Sequence, residues 1–443
     1  MGSPENGPDE PLTLAGRLFL QKEMSQVIYC VDGVKHPLDI DALKSPDGAD
    51  SAGREHWRRT PVDTDSHVVV VHGPVADSLS DEEAVNEYLA DLSTDSPGLL
   101  GDDKPLWDVH LLMARGCLVL RIHHALGDGI SLMSMFLVSC WRVDDPEALP
   151  TIGPPSSAKR RRGGGGEWWK AVERVGGVVH VGLRSGVRAA EHVGERPEDA
   201  GERRRRGGTL AEEVGHGKVS VGGHESGQTI NDVLFEIISV GLFKYLDHRS
   251  PNPVRERIPI IGVAMVNLRE QQGLQLIELN CGAGINRELS NSMKGNPGLR
   301  WGNKFGILLL PVHYHRSSGD PLEYLRKAKS MIDRKKKSLE AHFSYRIGDI
   351  VMTYLGARIV SLLNYRIVCS TTFTISNVLV PHKEIAVVGN PITYITYIRA
   401  NSSSLPHAIT MHMVSYVGRA DMQILVAEDI ILDPNFLAKC FEC

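Results

Sequence analysis

Two adjacent histidines followed by a glycine–aspartate–glycine turn are the most informative feature of the sequence. His123 and His124 end an apolar, strand-like run, and Gly127, Asp128 and Gly129 lead into an apolar, helix-like segment. A neutral imidazole, whose ordinary pKa is about 6.5, can take the proton of a hydroxyl group that attacks an acyl carbon. The pattern therefore predicts general-base chemistry at a strand–loop–helix junction.

The spacing within this motif assigns different roles to its members. Because successive side chains of a strand point to opposite faces, His123 and His124 cannot both face one cleft, so one is chemical and the other supports it. The two glycines allow a tight turn that brings Asp128 back towards the strand end. There its carboxylate either fixes a histidine ring or anchors the loop. A polar strand end without chemistry is the alternative, and the coincidence of four fixed positions within seven residues disfavours it.

The surrounding sequence predicts an α/β protein with two halves. Residues 1–150 and 228–443 both mix strand-like apolar runs with helical periodicity. Residues 151–227 hold 18 of the 44 glycines and two basic runs, which is typical of a linker. Within it, residues 167–193 combine tryptophan and valine with basic residues. This segment is predicted to be either an amphipathic helix lying on a membrane surface or part of the flexible linker.

Composition excludes several classes of function. The chain has 49 Lys and Arg against 54 Asp and Glu, a net charge of −5, and it lacks the basic excess of a nucleic-acid-binding protein. Seven scattered cysteines favour reduced thiols over a disulfide framework. The acidic start of the chain does not resemble a secretory signal, and no uninterrupted apolar run reaches the length of a membrane span. The protein is therefore expected to be soluble or peripheral.

Four motifs together resemble the plant wax ester synthase/diacylglycerol acyltransferase family, over most of residues 11–439 apart from the linker. They are HHALGDG, the PLWDVHLL segment with Trp107, INDVLFEII with Asn231, and FTISNVLVP with Ser376 and Asn377; WGNKFGILLLP at 301–311 adds to the likeness. The resemblance implies two chloramphenicol-acetyltransferase-like halves, with the active site in a channel at their interface. It also implies that His124, the second of the pair, is the catalytic histidine.

The resemblance further implies an acyl-CoA-dependent O-acyltransferase that forms wax esters or triacylglycerol from a long-chain alcohol or diacylglycerol. His124 would be the base, Asp128 would organise the loop and His123 would support it. Acyl-CoA would be a co-substrate, with no cofactor, metal or nucleic acid. The water-insoluble products imply peripheral contact with the cytosolic face of the endoplasmic reticulum or plasma membrane. The implied substrate-binding residues are Trp107, Asn231, Ser376 and Asn377.

Structural alternatives remain open for three of these substrate-binding candidates. Asn231 also fits the N-cap of the helix that follows it. Ser376 and Asn377 also fit a turn that ends a strand. For these residues the sequence does not choose between the two roles.

The sequence departs from the family pattern at several places. The segment from Leu43 to Gly53 is short, residues 276–286 and 393–398 resemble small insertions, and Val380 stands where the family usually has glycine. These departures favour a catalytically impaired, lipid-binding paralogue as one alternative function. A soluble acyltransferase for another alcohol or amine is a second alternative, although the DFGWG motif of that group is absent.

Overall fold

The computed structural model describes residues 10–40, 56–57, 64–73, 81–95, 106–146, 150, 209–212, 230–249, 260–269, 302–312, 321–378, 380–401, 408–417, 419–426 and 430–441. The predicted amphipathic segment 167–193, the short segment after Leu43 and the predicted insertion at 276–286 lie outside these ranges. The five cysteines within them are free thiols.

The described residues form both helices and strands, in an order that ends with five strands and a helix. The helices are α1 (Leu14–Phe19), α2 (Thr64–His67), α3 (Asp81–Asp95), α4 (Gly129–Val138), α5 (Ile230–Arg249), α6 (Pro321–Lys336), α7 (Glu340–Cys369) and α8 (Pro434–Phe441). The strands are β1 (Glu10–Pro11), β2 (Gln26–Val34), β3 (His56–Trp57), β4 (Val68–Val71), β5 (Trp107–Leu112), β6 (Cys117–His123), β7 (Cys140–Arg142), β8 (Thr209–Glu212), β9 (Ile260–Asn267), β10 (Phe305–Val312), β11 (Phe373–Val378), β12 (Ile385–Val387), β13 (Asn390–Asn401), β14 (Ile409–Tyr416) and β15 (Arg419–Val426).

The first large sheet carries the histidine pair. Its strand order is β4-β5-β6-β2-β13-β12-β7, and β6 lies between β5 and β2, antiparallel to both. Helix α3 packs on one face through Val85 and Leu89, and helix α4 packs on the other through Leu132 and Leu137. Because β6 is covered on both faces, its sequence is a nearly continuous apolar run rather than an alternating one.

The second large sheet has the order β10-β9-β11-β14-β15-β8. Strand β11 runs parallel to both of its neighbours, β9 and β14. Helices α5, α6 and α8 cover one face of this sheet in a common apolar core, which includes Phe235, Met331 and Leu437. The predicted α/β architecture with two halves is confirmed, each half being built around its own sheet.

The boundaries of the halves differ from the predicted ones. Strands β12 and β13 belong to the predicted C-terminal half, residues 228–443, yet they pair in the first sheet, where Ile398 lies opposite Tyr29 of β2. Strand β8 falls inside the predicted linker 151–227, yet it forms an edge of the second sheet against β15. The prediction of two halves that are contiguous in sequence was therefore wrong in these two places. Sequence patterns report how apolar a strand is, not which sheet it joins.

Two of the family departures have simple structural explanations. The register of β13 against β2 shifts between Ile392 and Tyr394, so the repeated segment 393–398 starts at a bulge within a regular strand. Val380 is buried in the core of the first half, and the described non-glycine residues with positive φ are Val388 and Val417. The backbone at position 380 therefore does not require glycine, and this departure gives no reason for impaired activity.

Helix α7 is the longest described helix, and by length and composition alone it could cross a membrane; 17% of its most apolar stretch is buried. The search for uninterrupted apolar runs did not identify α7 as a candidate span, because charged residues divide its sequence. Gly356 interrupts the helix with a φ of 80° and a ψ of 170°. The two parts of α7 therefore meet at a kink.

Candidate active site

The histidine pair lies at the carboxyl end of β6, where the chain turns into α4. Asp128 is the N-cap of α4, and its Oδ1 accepts a hydrogen bond from the Ser131 backbone N–H at 3.1 Å. A carboxylate at this position stabilises a helix N-terminus by satisfying a backbone donor and by facing the positive end of the helix dipole. The apolar strand and the capped helix thus hold the loop at both of its ends.

His123 is fully buried and is held by two hydrogen bonds. Its Nδ1 accepts from the Ala125 backbone N–H at 3.2 Å, so its proton is on Nε2, which donates to Ser25 Oγ at 3.1 Å. Burial lowers the pKa of His123 to about 4, because the charged ring would lose its hydration. His123 is therefore neutral at physiological pH, and its lone pair is already used by the loop. This geometry is that of the supporting member of the pair.

His124 is held in the opposite tautomer by Asn303. The Asn303 amide NH₂ donates to the His124 carbonyl oxygen at 2.9 Å, so its Oδ1 faces the imidazole and accepts from Nδ1–H at 3.1 Å. With the proton on Nδ1, the lone pair of the ring is on Nε2. A histidine in this state can accept a proton through Nε2.

Two aromatic rings surround the His124 imidazole. Phe19 stacks on it with a ring-centroid distance of 4.0 Å and an interplanar angle of 28°, and Phe305 approaches edge-on at 6.4 Å. Phe19 is 1% exposed and His124 is 3% exposed. The electron-rich face of a phenyl ring stabilises a cation above it, so the stacking favours the imidazolium that forms when Nε2 takes a proton.

Asp128 makes the contacts of an anchor rather than of a partner for a histidine ring. Its Oδ2 receives hydrogen bonds from Arg269 Nη1 at 2.6 Å and from the Lys304 backbone N–H at 2.8 Å. Arg269 is buried and also donates to Ser131 Oγ and to the Gly302 carbonyl. Of the two roles left open by the sequence, fixing the ring belongs to Asn303 and anchoring the loop fits Asp128.

A three-residue segment of the second half, Gly302-Asn303-Lys304, makes the cross-links to the histidine loop. It supplies the Asn303 side chain to His124 and the Lys304 N–H to Asp128. Gly302 has a φ of +103°, and an added Cβ would lie 2.7 Å from Thr13 Cγ2, so only glycine fits. The site therefore lies where the two halves meet.

The other predicted site residues occupy different places. Trp107 is partly buried at the start of β5, where the His67 ring packs on it with a ring-centroid distance of 3.9 Å. The carbonyl oxygen of the preceding residue, Leu106, accepts a hydrogen bond from the His123 backbone N–H. Asn231 lies within the first turn of α5 rather than before it, and its side chain is outside the described set. The structure brings Trp107 close to the histidine loop by backbone pairing.

Ser376 and Asn377 lie inside β11 and not in a turn after it. Ser376 is half-buried opposite His412 of the parallel strand β14, and Asn377 is exposed. The alternative of a strand-ending turn was therefore wrong. Their predicted role in binding substrate stays a prediction.

Several residues of the site were not predicted from the sequence, among them Phe19, Ser25, Arg269 and Asn303. Arg269 lies two residues after the end of β9, and no sequence signal marks it as buried; in the structure it is buried and pairs with Asp128. Asn303 lies in the WGNKFG segment that carried part of the resemblance. Among the described residues, no group of three or more His, Cys, Asp or Glu side chains could hold a metal ion.

The fold and the site together define the class of the protein. Two α/β halves, with a histidine at the end of a strand and an aspartate that anchors its loop where the two sheets meet, have the fold of the chloramphenicol-acetyltransferase-like proteins. Two solved structures share this fold: a wax ester synthase/diacylglycerol acyltransferase from Marinobacter aquaeolei VT8 and the trichothecene 15-O-acetyltransferase of Fusarium sporotrichioides. Their TM-scores are both 0.52, at 14% and 10% identity; the matches cover 98% of this chain and 98% and 95% of theirs.

Sequence comparison then gives the family. The catalytic-domain model of the wax ester synthase/diacylglycerol acyltransferase family matches residues 43–213, and the C-terminal-domain model matches residues 301–443. Wax ester synthase/diacylglycerol acyltransferase 11 of Arabidopsis thaliana is 30% identical, over 97% of this chain and 93% of that protein. Wax ester synthase/diacylglycerol acyltransferase 2 of the same plant is also 30% identical, over 92% of this chain and 85% of that protein. The chain belongs to this family and is an acyltransferase.

Proposed function

We propose that this acyltransferase transfers a fatty acyl group from acyl-CoA to the hydroxyl of a long-chain alcohol or of diacylglycerol, with His124 as the general base. The observation that carries the proposal is the tautomer of His124, which Asn303 fixes with the lone pair on Nε2. The substrate classes are those named for the family and its relatives.

The proposed reaction needs no side-chain nucleophile. His124 Nε2 takes the proton of the acceptor hydroxyl while the hydroxyl oxygen attacks the thioester carbon. The resulting tetrahedral intermediate collapses, the carbon–sulfur bond breaks, and the imidazolium returns its proton to the departing CoA thiolate. The products are an ester and CoA, and the base is regenerated. A general base positioned in this way contributes a rate factor of roughly 10² to 10⁴.

The surroundings of His124 support this sequence of proton transfers. The Asn303 carbonyl accepts from Nδ1–H throughout, and stacked Phe19 stabilises the transient imidazolium. For the oxygen of the intermediate, Ser376, Asn377 and Asn231 remain the proposed donors or channel residues, and Trp107 the proposed substrate contact.

Acyl-CoA enters the proposal as a co-substrate, and no other cofactor is invoked. Acceptors such as hexadecanol or diacylglycerol reside in membranes, so the proposal places the protein on the cytosolic face of the endoplasmic reticulum or plasma membrane, held by peripheral contact. This location follows from the proposed substrates.

The test uses the purified full chain with labelled palmitoyl-CoA and either hexadecanol or diacylglycerol, and resolves the neutral lipids. Wild type and the exposed-histidine control His382→Ala are expected to form labelled ester, and His124→Ala is expected to lose at least 99% of the rate, because about 10² is the lower bound for a general base. Ester formation by His124→Ala at the wild-type rate would refute the role of the base. A folded wild type without any product would favour an impaired, lipid-binding paralogue.

A further inference from the structure

Helix α7 presents an unusually apolar surface. We call it the α7 apolar face, defined by Ile347, Ile350, Tyr354, Leu355, Ile359, Leu362 and Leu363. These side chains are 39% to 80% exposed, and Tyr354 is the most exposed of them. Half of the sixteen exposed large hydrophobic residues in the described ranges lie between Leu339 and Leu363. Scattered exposed apolar residues need no explanation, whereas a concentration of this kind marks a contact surface.

The opposite side of α7 packs on the protein between Glu340 and Val360. At its start, Glu340 Oε1 accepts from the Leu309 N–H and Ser344 Oγ accepts from the Ile307 N–H, which ties the helix to the edge strand β10. On either side of the kink, Met352 and Val360 pack in one apolar cluster. A helix supported in this way along one side lies on the surface of the molecule and presents the other side outward.

The charges on α7 identify what the apolar face fits. Within this fully described helix the exposed charged side chains are Arg346, Arg358 and Arg366, whereas Asp349 is half-buried and Glu340 is paired with Lys335. The adjoining end of α6 and the residue after it add three more exposed cations: Arg334, Lys336 and Lys337. An apolar face with a cationic border is complementary to a lipid bilayer that carries anionic headgroups.

The packed side of helix α7 is connected to the catalytic histidine through α1. Met352 and Val360 share their cluster with Leu18 of α1. The next residue, Phe19, stacks on His124. Helix α1 therefore separates the packed side of α7 from the base, and a bilayer in contact with the outer side of α7 would lie on the His124 side of the molecule.

We propose that the α7 apolar face binds the surface of an anionic lipid bilayer, with the kinked helix lying in the interfacial plane and not crossing it. This inference rests on the proposed function, because it concerns how water-insoluble acceptors reach His124. Beyond peripheral contact, it specifies which surface of the protein binds, which lipid charge it prefers and how the protein is oriented on the bilayer. In this arrangement the bilayer supplies the acceptor directly beside the α1 helix.

The experiment is vesicle flotation of the purified full chain, with phosphatidylcholine vesicles that contain or lack phosphatidylserine. The test variant Leu355→Gln/Leu362→Gln removes two apolar side chains that are 55% and 56% exposed. The matched control Ile430→Gln/Leu432→Gln removes two that are 46% and 69% exposed elsewhere. Wild type and control are expected to bind equally, and the test variant at least roughly tenfold more weakly.

A second variant tests the charge. Arg346→Gln/Arg358→Gln is expected to weaken binding to phosphatidylserine vesicles by roughly fivefold for each arginine, and to leave binding to phosphatidylcholine unchanged. The preference of wild type for phosphatidylserine is expected to fall as salt is raised. If Arg346→Gln/Arg358→Gln preferred phosphatidylserine vesicles as strongly as wild type does, the cationic border would not be the cause of that preference.

Acyl transfer in detergent micelles distinguishes this inference from the proposed function. All variants are expected to retain wild-type transfer in micelles, because none of the changed residues contacts the site. Unchanged flotation of Leu355→Gln/Leu362→Gln would overturn the surface while leaving the function intact. Flotation without any transfer by wild type would support the surface and contradict the function.

Two further outcomes would overturn the interfacial contact. Retention of the bound protein through alkaline carbonate would show a spanning helix. A concentration-dependent dimer that is lost in Leu355→Gln/Leu362→Gln, without vesicle binding by wild type, would assign the face to a second copy of the chain.

Discussion

At the scale of residues, adjacent histidines have opposite tautomers, and each tautomer follows from one hydrogen-bond partner. The Ala125 N–H occupies the Nδ1 lone pair of His123, whereas the Asn303 carbonyl accepts the Nδ1 proton of His124. Sequence alternation predicts that one histidine of the pair supports the other. It could not reveal Asn303, because that residue lies 179 positions later and is joined to His124 only by the packing of the two halves.

The role of Asn303 as a positioning residue is testable through the pH dependence of the rate. Asn303→Ala leaves Nδ1–H without its acceptor and allows the other tautomer, so kcat is expected to fall on the order of 10²-fold with little change in KM for acyl-CoA. Asn303→Asp places a carboxylate on Nδ1–H, which raises the pKa of His124 and moves the acidic limb of the pH–rate profile to higher pH. Identical profiles for wild type and Asn303→Asp would contradict this role.

His123 predicts a pH dependence of stability. Burial lowers its pKa to about 4 in the folded protein, while the unfolded chain has the ordinary value of about 6.5. Between these values the unfolded chain binds a proton that the folded protein does not, so stability falls as pH falls. The contribution lost from about pH 7 to about pH 5 is about 2 kcal/mol. Urea unfolding at several pH values measures this loss of stability. Between about pH 7 and about pH 5, wild type is expected to lose about 2 kcal/mol more than His123→Gln. Equal losses in the two proteins would refute the role of His123.

At the scale of elements, the loop after β6 is fixed by Gly302-Asn303-Lys304, the short segment that precedes β10. The apolar runs of β6 and α4 are readable from the sequence because burial on both faces requires them. The positive φ of Gly302 is not readable in the same way, since many glycines lie in turns without close neighbours. What makes Gly302 essential is Thr13, the N-cap of α1, which lies within contact distance of it.

Substitution of this glycine is predicted to affect catalysis and stability together. In Gly302→Ala the new methyl would meet Thr13 Cγ2 at 2.7 Å in a backbone conformation that alanine disfavours. The segment must shift, which moves Asn303 from His124, so we expect a loss of about 2 kcal/mol or more in stability and at least a tenfold lower kcat. Chemical unfolding and steady-state rates measure both effects.

The matched control is Gly348→Ala. Gly348 lies within α7 with no atom near its added Cβ, and alanine is the better helix former there by about 1 kcal/mol. It is expected to be neutral or stabilising and fully active. If Gly302→Ala behaved in the same way, the segment would not be a rigid support.

At the scale of the whole molecule, the two halves are interlocked rather than simply joined. Strands β12 and β13 cross from the second half into the first sheet, and the Asp128–Arg269 pair ties the histidine loop to the end of β9. Two α/β halves were predictable because apolar periodicity and the glycine-rich segment are local signals. The exchange of strands was not, since the pairing of Ile398 with Tyr29 depends on the three-dimensional path of the chain. The interlocking predicts a single cooperative unfolding transition.

Substitutions in the Asp128–Arg269 ion pair between the halves distinguish a structural role of Asp128 from a chemical one. Asp128→Asn keeps the helix cap but leaves the Arg269 charge buried without its anion, and Arg269→Met leaves the carboxylate without its cation. Each single change is expected to cost about 3 to 5 kcal/mol in the free energy of unfolding. The double variant removes both charges, so it is expected to be more stable than the sum of the single effects by at least about 1 kcal/mol.

The acyl-transfer rates of these two single variants and the double variant decide between the two roles of Asp128. If Asp128 acts by anchoring the loop through Arg269, acyl transfer is expected to recover in part in Asp128→Asn/Arg269→Met relative to either single variant, because the loop is again free of an unpaired buried charge. If the carboxylate itself took part in the reaction, the double variant would be as inactive as Asp128→Asn alone. The geometry, with both carboxylate oxygens occupied by Ser131, Arg269 and Lys304, predicts recovery.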